Sequence, residues 1–202
     1  TWLRAFVVKH GPASLITMEM SSDEIVSRLI AQEARLNVAD VLEGDLSTEY
    51  NRELGTSPLK AYKAAALRVS NMPIFILDKP SVTPSQVMSF LRRGKRQYGI
   101  KAGFVDYLQL MSAGGLYKDN RIQQVSYCAR ALKDTAAALD IPIITAAQLN
   151  RAAEGKTPSL EHLAQSGEIE AAANQIVALR RLNPNNPQDM TAKVYILKQR
   201  NR

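Results

Sequence analysis

Short apolar runs alternate with longer amphipathic segments along most of this 202-residue chain, and this alternation constrains the fold more than any other feature. Runs of this length and composition, separated by segments long enough for helices, are typical of strand–helix–strand units in a mainly parallel sheet. A turn containing two Asn-Pro pairs at 181–188 favours antiparallel pairing of the last two runs. We therefore predict one α/β domain over 1–202, with a mainly parallel sheet flanked by helices and an antiparallel hairpin at its C-terminal edge. The predicted strands are 13–18, 74–77, 103–106, 142–147, 175–180 and 192–198.

The helices are predicted from apolar residues at helical spacing and from capping residues. Ser21 and Glu24 have the spacing of a capping box, which predicts the start of a helix there. We expect that helix to turn one apolar face to the core, formed by Ile25, Val26, Leu29 and Ile30. Other helices are predicted at 1–10, at 38–70 with an interruption near 55–58, at 85–98 and at 120–139. The helix at 120–139 repeats apolar residues at Ile122, Val125, Ala129, Leu132, Ala136 and Leu139.

Composition narrows the class of protein. Hydrophobic residues make up 46% of the chain and charged residues 22%, as in a globular domain rather than a disordered or membrane protein. No signal peptide or membrane-spanning run is visible, and the single cysteine, Cys128, fits a reducing compartment, so we expect a cytoplasmic protein. Cys128 lies on the apolar side of a predicted helix and is interpreted as a core residue. The net charge of +7 favours a polyanionic partner, such as nucleic acid or nucleotide phosphates.

Polar side chains follow four of the predicted strands. In a parallel sheet the carboxyl ends of the strands share one edge, so these side chains could converge on one crevice. The set suits nucleotide hydrolysis, in which one acid holds Mg²⁺, another activates water, an amide senses the γ-phosphate and a cation neutralises developing charge. In that order, the candidates are Asp106, Glu19, Gln148, and Lys198 or Arg200. Each also has a structural interpretation: the acids as partners of loop or helix backbone, Gln148 as a loop hydrogen-bonder, and the cations as a solvated tail.

A series of motifs resembles the replicative DnaB-type hexameric DNA helicases, in the family's order and over the whole chain. The segments are Met-Glu-Met-Ser at 18–21, Val-Asp-Tyr-Leu-Gln-Leu-Met at 105–111, Pro-Ile-Ile-Thr-Ala-Ala-Gln-Leu-Asn-Arg at 142–151, Ser-Gly-Glu-Ile-Glu at 166–170 and Lys-Gln-Arg-Asn at 198–201. The resemblance implies a RecA-like motor domain in a hexameric ring, which hydrolyses ATP at subunit interfaces while moving on single-stranded DNA. It also implies a primase and a helicase loader as partners, in a bacterial, phage or plasmid replisome.

The resemblance assigns roles to the same side chains. It implies that Glu19 is the catalytic glutamate, that Asp106 holds Mg²⁺, and that Gln148 couples hydrolysis to DNA contact. Lys198 and Arg200 would reach into the nucleotide of the neighbouring subunit.

The phosphate cradle of such a motor, a glycine-rich loop ending in Gly-Lys-Ser/Thr, is not found in the expected place. Gly-Lys-Thr occurs at 155–157, but Asn150 stands where the earlier glycine belongs and Pro158 follows at once. The opening residues Thr-Trp-Leu-Arg instead resemble the start of the helix that follows the cradle. We therefore expect this sequence to begin at or just after the cradle, without the family's N-terminal domain. Thr1 is then either the Mg²⁺-binding hydroxyl or the residue after it.

DNA contact is expected from two loops, 114–121 and 151–165, facing the channel of the ring. The expected contacts are phosphate contacts from cations, because a translocating motor does not read bases. Ala164 and Gln165 stand where the family usually has an arginine and an acid, so backbone amides near Ser166 and Gly167 take more weight there. The candidate residues are Lys118, Arg121, Arg151, Lys156, Gln165, Ser166 and Gly167, with Tyr117 for base stacking. Ordinary solvated loop charge remains the alternative for each cation.

Two other functions remain open at this stage. One is a RecA-like recombinase-type ATPase with the same core, although the motifs around Asp106 and at 198–201 favour the helicase. The other is a non-catalytic RecA-like module for assembly or loader binding, which follows if the protein has no phosphate cradle.

Overall fold

The computed structural model describes residues 2–117, 120–150, 153, 155–163, 166–183, 185, 186, 189 and 191–200. The strands are β1 Ala13–Thr17, β2 Ile74–Asp78, β3 Ala102–Asp106, β4 Ile143–Thr145, β5 Gln175–Arg181 and β6 Ala192–Gln199. The α-helices are α1 Trp2–His10, α2 Ser22–Ala34, α3 Val38–Glu43, α4 Pro58–Ser70, α5 Pro84–Tyr98, α6 Arg121–Leu139 and α7 Ser166–Ala172. A short 3₁₀ turn, Leu108–Leu110, follows β3, and a second one, Leu160–His162, precedes α7.

The first four strands form one parallel sheet in the order β2-β1-β3-β4. Thr17, the last residue of β1, is opposite Asp78 of β2 and Asp106 of β3, so three strands end level with one another. β5 and β6 pair antiparallel in a two-stranded sheet of their own. The predicted parallel sheet with helices and the antiparallel pair are therefore both confirmed. The predicted position of the pair at the edge of the main sheet is wrong, because β5 and β6 pair only with each other.

The central strands are covered on both faces, as expected for a parallel sheet. All five residues of β1 are buried. On one face, Ile16 and Val105 pack with the apolar sides of α5 and α6. On the other face, Leu15 and Phe104 pack with α1, through residues that include Leu3. A further cluster joins α2 to α4 beside this second face.

The helix predicted over 38–70 is interrupted, as expected, but the interruption near 55–58 was predicted too short. The segment forms two helices, α3 and α4, separated by the non-helical residues 44–57. Gly44 ends α3 in a left-handed conformation with φ of 76°, where glycine is favoured. Ser57 starts the next helix, because its hydroxyl accepts a hydrogen bond from the Lys60 amide and Pro58 occupies the first helical position. The interruption is therefore much wider than the Gly-Pro region predicted.

Two residues assigned to inward helix faces are exposed. Val26 is 36% exposed and Ile122 is 58% exposed, because the buried sides of α2 and α6 are centred on other residues, among them Leu29 and Val125. Ser21 caps α2 as predicted by accepting from the Glu24 amide, while the Glu24 carboxylate pairs with Arg28. In the part of the chain that the structure describes, no helix is both long and apolar enough to cross a membrane.

Candidate functional site

The level ends of β1 and β3 bring two predicted acids to one edge of the sheet. Asp106 is the last residue of β3, and Glu19 follows β1 by two residues. The Met18 amide donates a hydrogen bond of 3.0 Å to the Asp106 carbonyl, which ties the two strand ends together just before Glu19. Asp106 is half-buried and Glu19 is exposed. The structure thus places a partly shielded acid beside a solvent-accessible one.

Thr17 fixes the turn on which Glu19 lies. Its fully buried hydroxyl donates to the Met20 carbonyl at 2.9 Å and accepts from the Met20 amide at 3.2 Å. The Thr17 carbonyl also accepts from the Lys79 amide, so the turn is attached to β2 as well. Sequence reasoning missed this residue, although a hydroxyl buried at a strand end next to a predicted acid is a usable signal.

A third acid, Asp78, ends β2 at the same edge, and sequence reasoning did not place it there. Its carboxylate accepts a hydrogen bond of 2.6 Å from the Ser22 amide in the first turn of α2. That backbone hydrogen bond lowers the pKa of Asp78 below its ordinary value. Asp78 is therefore engaged in holding α2, which leaves Asp106 and Glu19 as the acids available for chemistry.

Gln148 lies beside the turn that follows Asp106. The 3₁₀ turn Leu108–Leu110 is hydrogen bonded to the segment after β4, because the Leu108 amide donates to the Ala146 carbonyl at 3.1 Å. The Gln148 amide donates to Oε1 of Gln109 at 3.3 Å, and the Gln148 residue is exposed. Gln148 is thus brought to the same edge as the two acids, as the strand-end argument predicted.

The segment after Gln148 is closed at its base. Leu149 and Leu163 form a bridge, and the Asn150 amide donates to the His162 carbonyl at 2.7 Å. The residues between these pairs belong to the predicted DNA loop 151–165. Gln148 therefore lies directly between the sheet edge and the base of that loop.

Lys198 and Arg200 do not join Glu19, Asp106 and Gln148 within one chain, so the expected convergence of all four strand ends is only partly met. Lys198 donates from Nζ to the Glu170 carbonyl, and Arg200 donates from Nη1 to the Ala171 carbonyl at 3.4 Å. Both cations therefore contact the C-terminal part of α7, whose free carbonyls attract positive charge. The physical reason is that β6 belongs to the separate two-stranded sheet.

Of the predicted DNA-contact residues, Arg121, Lys156 and Gly167 are described, and all three are exposed. Arg121 begins α6, where its guanidinium donates to Oε1 of Gln124 at 2.9 Å. Tyr117 is 47% exposed. The predictions for Thr1, Lys118, Arg151 and Gln165, and for the side chain of Ser166, lie outside the described residues.

The Gly-Lys-Thr segment at 155–157 does not have the surroundings of a phosphate cradle. A cradle joins a strand directly to a helix and points backbone amides at the phosphates. Here the segment lies in the long connection between β4 and α7, and a 3₁₀ turn follows it. The Gly155 carbonyl accepts from Arg180 at 2.9 Å, which ties the segment to β5.

The carboxyl edge of the parallel sheet is suited to a metal ion that is bound together with a nucleotide. Within the described ranges, no three His, Cys, Asp or Glu side chains cluster in a way that could hold a metal ion by protein ligands alone. Mg²⁺ bound with a nucleotide needs only one or two carboxylates, since phosphates and water complete its shell. The half-buried Asp106 at a strand end is suited to this arrangement. Two surface cavities of about 480 and 440 Å³ lie elsewhere, against α5.

Comparisons with known proteins agree with this geometry. The replicative DNA helicase DnaB of Leifsonia xyli subsp. xyli is 35% identical over 205 residues, covering 98% of this chain and 43% of the relative. The DnaB of Mycobacterium intracellulare is 33% identical over 99% of this chain and 34% of its own length. The chain therefore spans less than half the length of these relatives.

Two solved structures share the fold at 28% identity and a TM-score of 0.81, and each comparison covers 94% of this chain. One is a structure that describes a DnaB-like replicative helicase and its interactions with primase. The comparison covers 47% of that helicase chain. The other is an ATPase domain, of which 67% is covered. Residues 3–202 match the family described as the DnaB-like helicase C-terminal domain. Because that match spans nearly the whole chain, the chain belongs to the DnaB-like helicase C-terminal domain family.

Proposed function

We propose that this chain is the motor domain of a replicative DNA helicase, which couples ATP hydrolysis at subunit interfaces to translocation on single-stranded DNA and duplex unwinding. The observation that carries the proposal is the pair of acids at level strand ends, Glu19 and Asp106, joined through the Met18–Asp106 hydrogen bond. Ligands of open α/β sheets bind at this carboxyl edge. Membership of the helicase family supports the same assignment.

Asp106 and Glu19 divide the chemistry between them. Bound ATP with Mg²⁺ supplies a phosphoryl group whose negative charge is partly neutralised by the ion. Asp106 would hold the ion, and the hydroxyl of Thr1 is a second candidate ligand. Glu19, exposed at the end of its fixed turn, would orient the attacking water and accept its proton. The Thr17–Met20 hydrogen bonds hold the backbone of this turn, so Glu19 needs little reorganisation.

Gln148 is suited to couple the nucleotide to DNA. Its backbone is bonded to the turn after Asp106, and the next residue, Leu149, closes the base of the loop 151–165. A change at the nucleotide edge therefore has a short path to that loop. The loop cations Lys156 and Arg151 would contact DNA phosphates, together with Gln165 and the amides of Ser166 and Gly167. Lys118 and Arg121 would contribute from the other loop.

Lys198 and Arg200 would act on the nucleotide of a neighbouring subunit in a hexameric ring. This is supported by their position away from Glu19 and Asp106 of their own chain. An arginine supplied in trans contributes about 10³–10⁵ in rate in other phosphoryl-transfer systems. Single-stranded DNA, a primase and a helicase loader are the proposed partners, and the cytoplasm is the proposed compartment.

The test is ATP hydrolysis by the full-length protein carrying Glu19→Gln, with Glu43→Gln as the matched control. Glu43 is an exposed acid of α3 and belongs to none of the turns that follow the strands. Glu19→Gln should abolish multiple turnover but retain nucleotide binding, because the carboxylate acts on water and not on the phosphates. Glu43→Gln should behave as the unchanged protein. Near-normal turnover in Glu19→Gln would remove Glu19 from the proposed role.

A further inference from the structure

Gln109 is a buried amide that uses only part of its hydrogen-bonding capacity. It lies in the 3₁₀ turn after β3 and is 9% exposed. Its Oε1 accepts from the Gln148 amide at 3.3 Å, and its Nε2 has no hydrogen-bond partner in the described part of the chain. Buried amides normally have partners for both ends, so a half-paired one points to something beyond packing.

Gln109 lies between the proposed Mg²⁺-binding acid and the residue proposed to couple hydrolysis to DNA. Three residues before it is Asp106, and across the hydrogen bond is Gln148, 39 residues further along the chain. Leu108, its neighbour, bonds to Ala146 through backbone atoms alone, so that contact does not depend on any side chain. Of the two contacts described between this turn and the segment after β4, the one to Gln148 is therefore the one made by a side chain.

The hydrogen bond between Gln109 and Gln148 is also long, and an alternative hydrogen-bonding group lies next to it. At 3.3 Å it is longer than most N–H···O bonds, so it restrains the Gln148 segment only weakly. The unpaired Nε2 offers a donor beside this acceptor, to which a carbonyl of a shifted segment could bond. A small movement after β4 can thus exchange one hydrogen bond for another at this partly buried contact.

We infer that Gln109 is a positioning residue, which transmits movement between the Asp106 turn and the loop that follows Gln148. The inference rests on the proposed function, because it assigns to Gln109 the coupling of ATP hydrolysis to DNA. In this role Gln109 acts through Gln148 and not on the reacting atoms. It sets the position of Gln148 through the backbone amide.

The experiment compares Gln109→Met with Leu108→Met in the full-length protein. Both place a methionine in the same buried turn, but only the first removes a side-chain hydrogen bond. We expect Gln109→Met to reduce the stimulation of ATP hydrolysis by single-stranded DNA about 2- to 30-fold, the range seen for residues that modulate coupling between sites. Hydrolysis without DNA should stay within about twofold of the unchanged protein, and Leu108→Met should keep its stimulation.

The outcomes separate this inference from the proposed function. If the unchanged protein does not hydrolyse ATP, or is not stimulated by DNA, the proposed function fails. If the unchanged protein is stimulated and both variants respond equally, the role of Gln109 is overturned. Equal loss of unstimulated and stimulated hydrolysis in folded Gln109→Met also overturns it, because the residue would then serve the chemistry itself.

A measurement on the unchanged protein decides the matter if Gln109→Met does not fold. Hydrogen exchange should change together in the peptides covering 107–111 and 145–149 when single-stranded DNA binds. Exchange that changes in the loop 151–165 but in neither of these peptides would overturn the inference.

Discussion

Replacing Glu33 by glutamine should destabilise the junction of three helices. The Glu33 carboxylate in α2 accepts from Nε of Arg4 in α1 at 2.5 Å and from Nε of Arg68 in α4 at 2.9 Å. Its side chain is 13% exposed, whereas Arg68 is 52% exposed. The Arg4 side chain is 31% exposed, so water screens the Arg68 contact more than the Arg4 contact.

The expected loss is about 2 kcal/mol. A hydrogen bond to a charged group contributes about 1.5–3 kcal/mol, which applies to the better-shielded Arg4 contact. The Arg68 contact contributes about 0–1 kcal/mol, as exposed pairs do. Glutamine keeps the shape of Glu33 and removes its charge, so part of each contact remains. For a chain of this length, about 2 kcal/mol lowers the Tm by roughly 4–8 °C.

The assay is thermal or urea denaturation at pH 7, with Glu24→Gln as the matched control. Glu24 lies in the same helix and pairs with Arg28 one turn away at the surface, so its replacement should cost about 0.3–0.5 kcal/mol. An equal cost for the two substitutions would refute the reasoning.

The pH dependence gives a second check. Burial works against the charged form of Glu33, but the hydrogen bonds from Arg4 and Arg68 outweigh it and hold the pKa below its ordinary value of 4.5. Because the pKa is lower in the folded state, the stabilisation is present above about pH 4.5 and is lost as the pH falls through the folded value. The difference between Glu33→Gln and the unchanged protein should therefore shrink in acid.

One further substitution and one chemical reaction test the packing of the core. A Cβ at residue 103 would lie 2.9 Å from both methyl carbons of the buried Leu91, so Gly103→Ala should cost about 1–3 kcal/mol in a denaturation experiment; an unchanged midpoint would contradict this packing. Cys128 is 1% exposed, and burial raises the pKa of its thiol to about 11, so the native protein should not react with an aromatic disulfide reagent at pH 8. Rapid reaction before unfolding would show that the thiol is accessible.

The strand ends were predictable because the sequence marks them locally. The apolar run ending at Asp106 and the one before Glu19 each end in an acid, and parallel pairing places such residues at one edge. The limits of α5 and α6 also came close to those predicted, since apolar spacing and capping residues define them. The gap at 44–57 was predicted only near 55–58, although Gly44 was a visible stop signal for a helix.

Contacts between distant segments could not be predicted. Gln109 and Gln148 are 39 residues apart in the sequence. Nothing in the local sequence around either residue reveals that the Gln109 side chain accepts a hydrogen bond from the Gln148 backbone amide. Lys198 and Arg200 were grouped with the other strand ends because β6 was expected at the edge of the same sheet. Their contacts with α7 depend on where the two-stranded sheet packs, which local patterns do not specify.

The central claim is that Glu19 and Asp106 of one subunit form an ATP site completed by Arg200 of its neighbour. Mixing Glu19→Gln subunits with Arg200→Ala subunits in one ring tests it most directly, by ATP hydrolysis with confirmed subunit exchange. Each variant alone should be nearly inactive. Mixed rings should regain activity, because an Arg200→Ala subunit provides Glu19 and its Glu19→Gln neighbour provides Arg200 at the same interface. No activity regained at any mixing ratio would contradict the claim and place Arg200 in its own chain's site or outside catalysis.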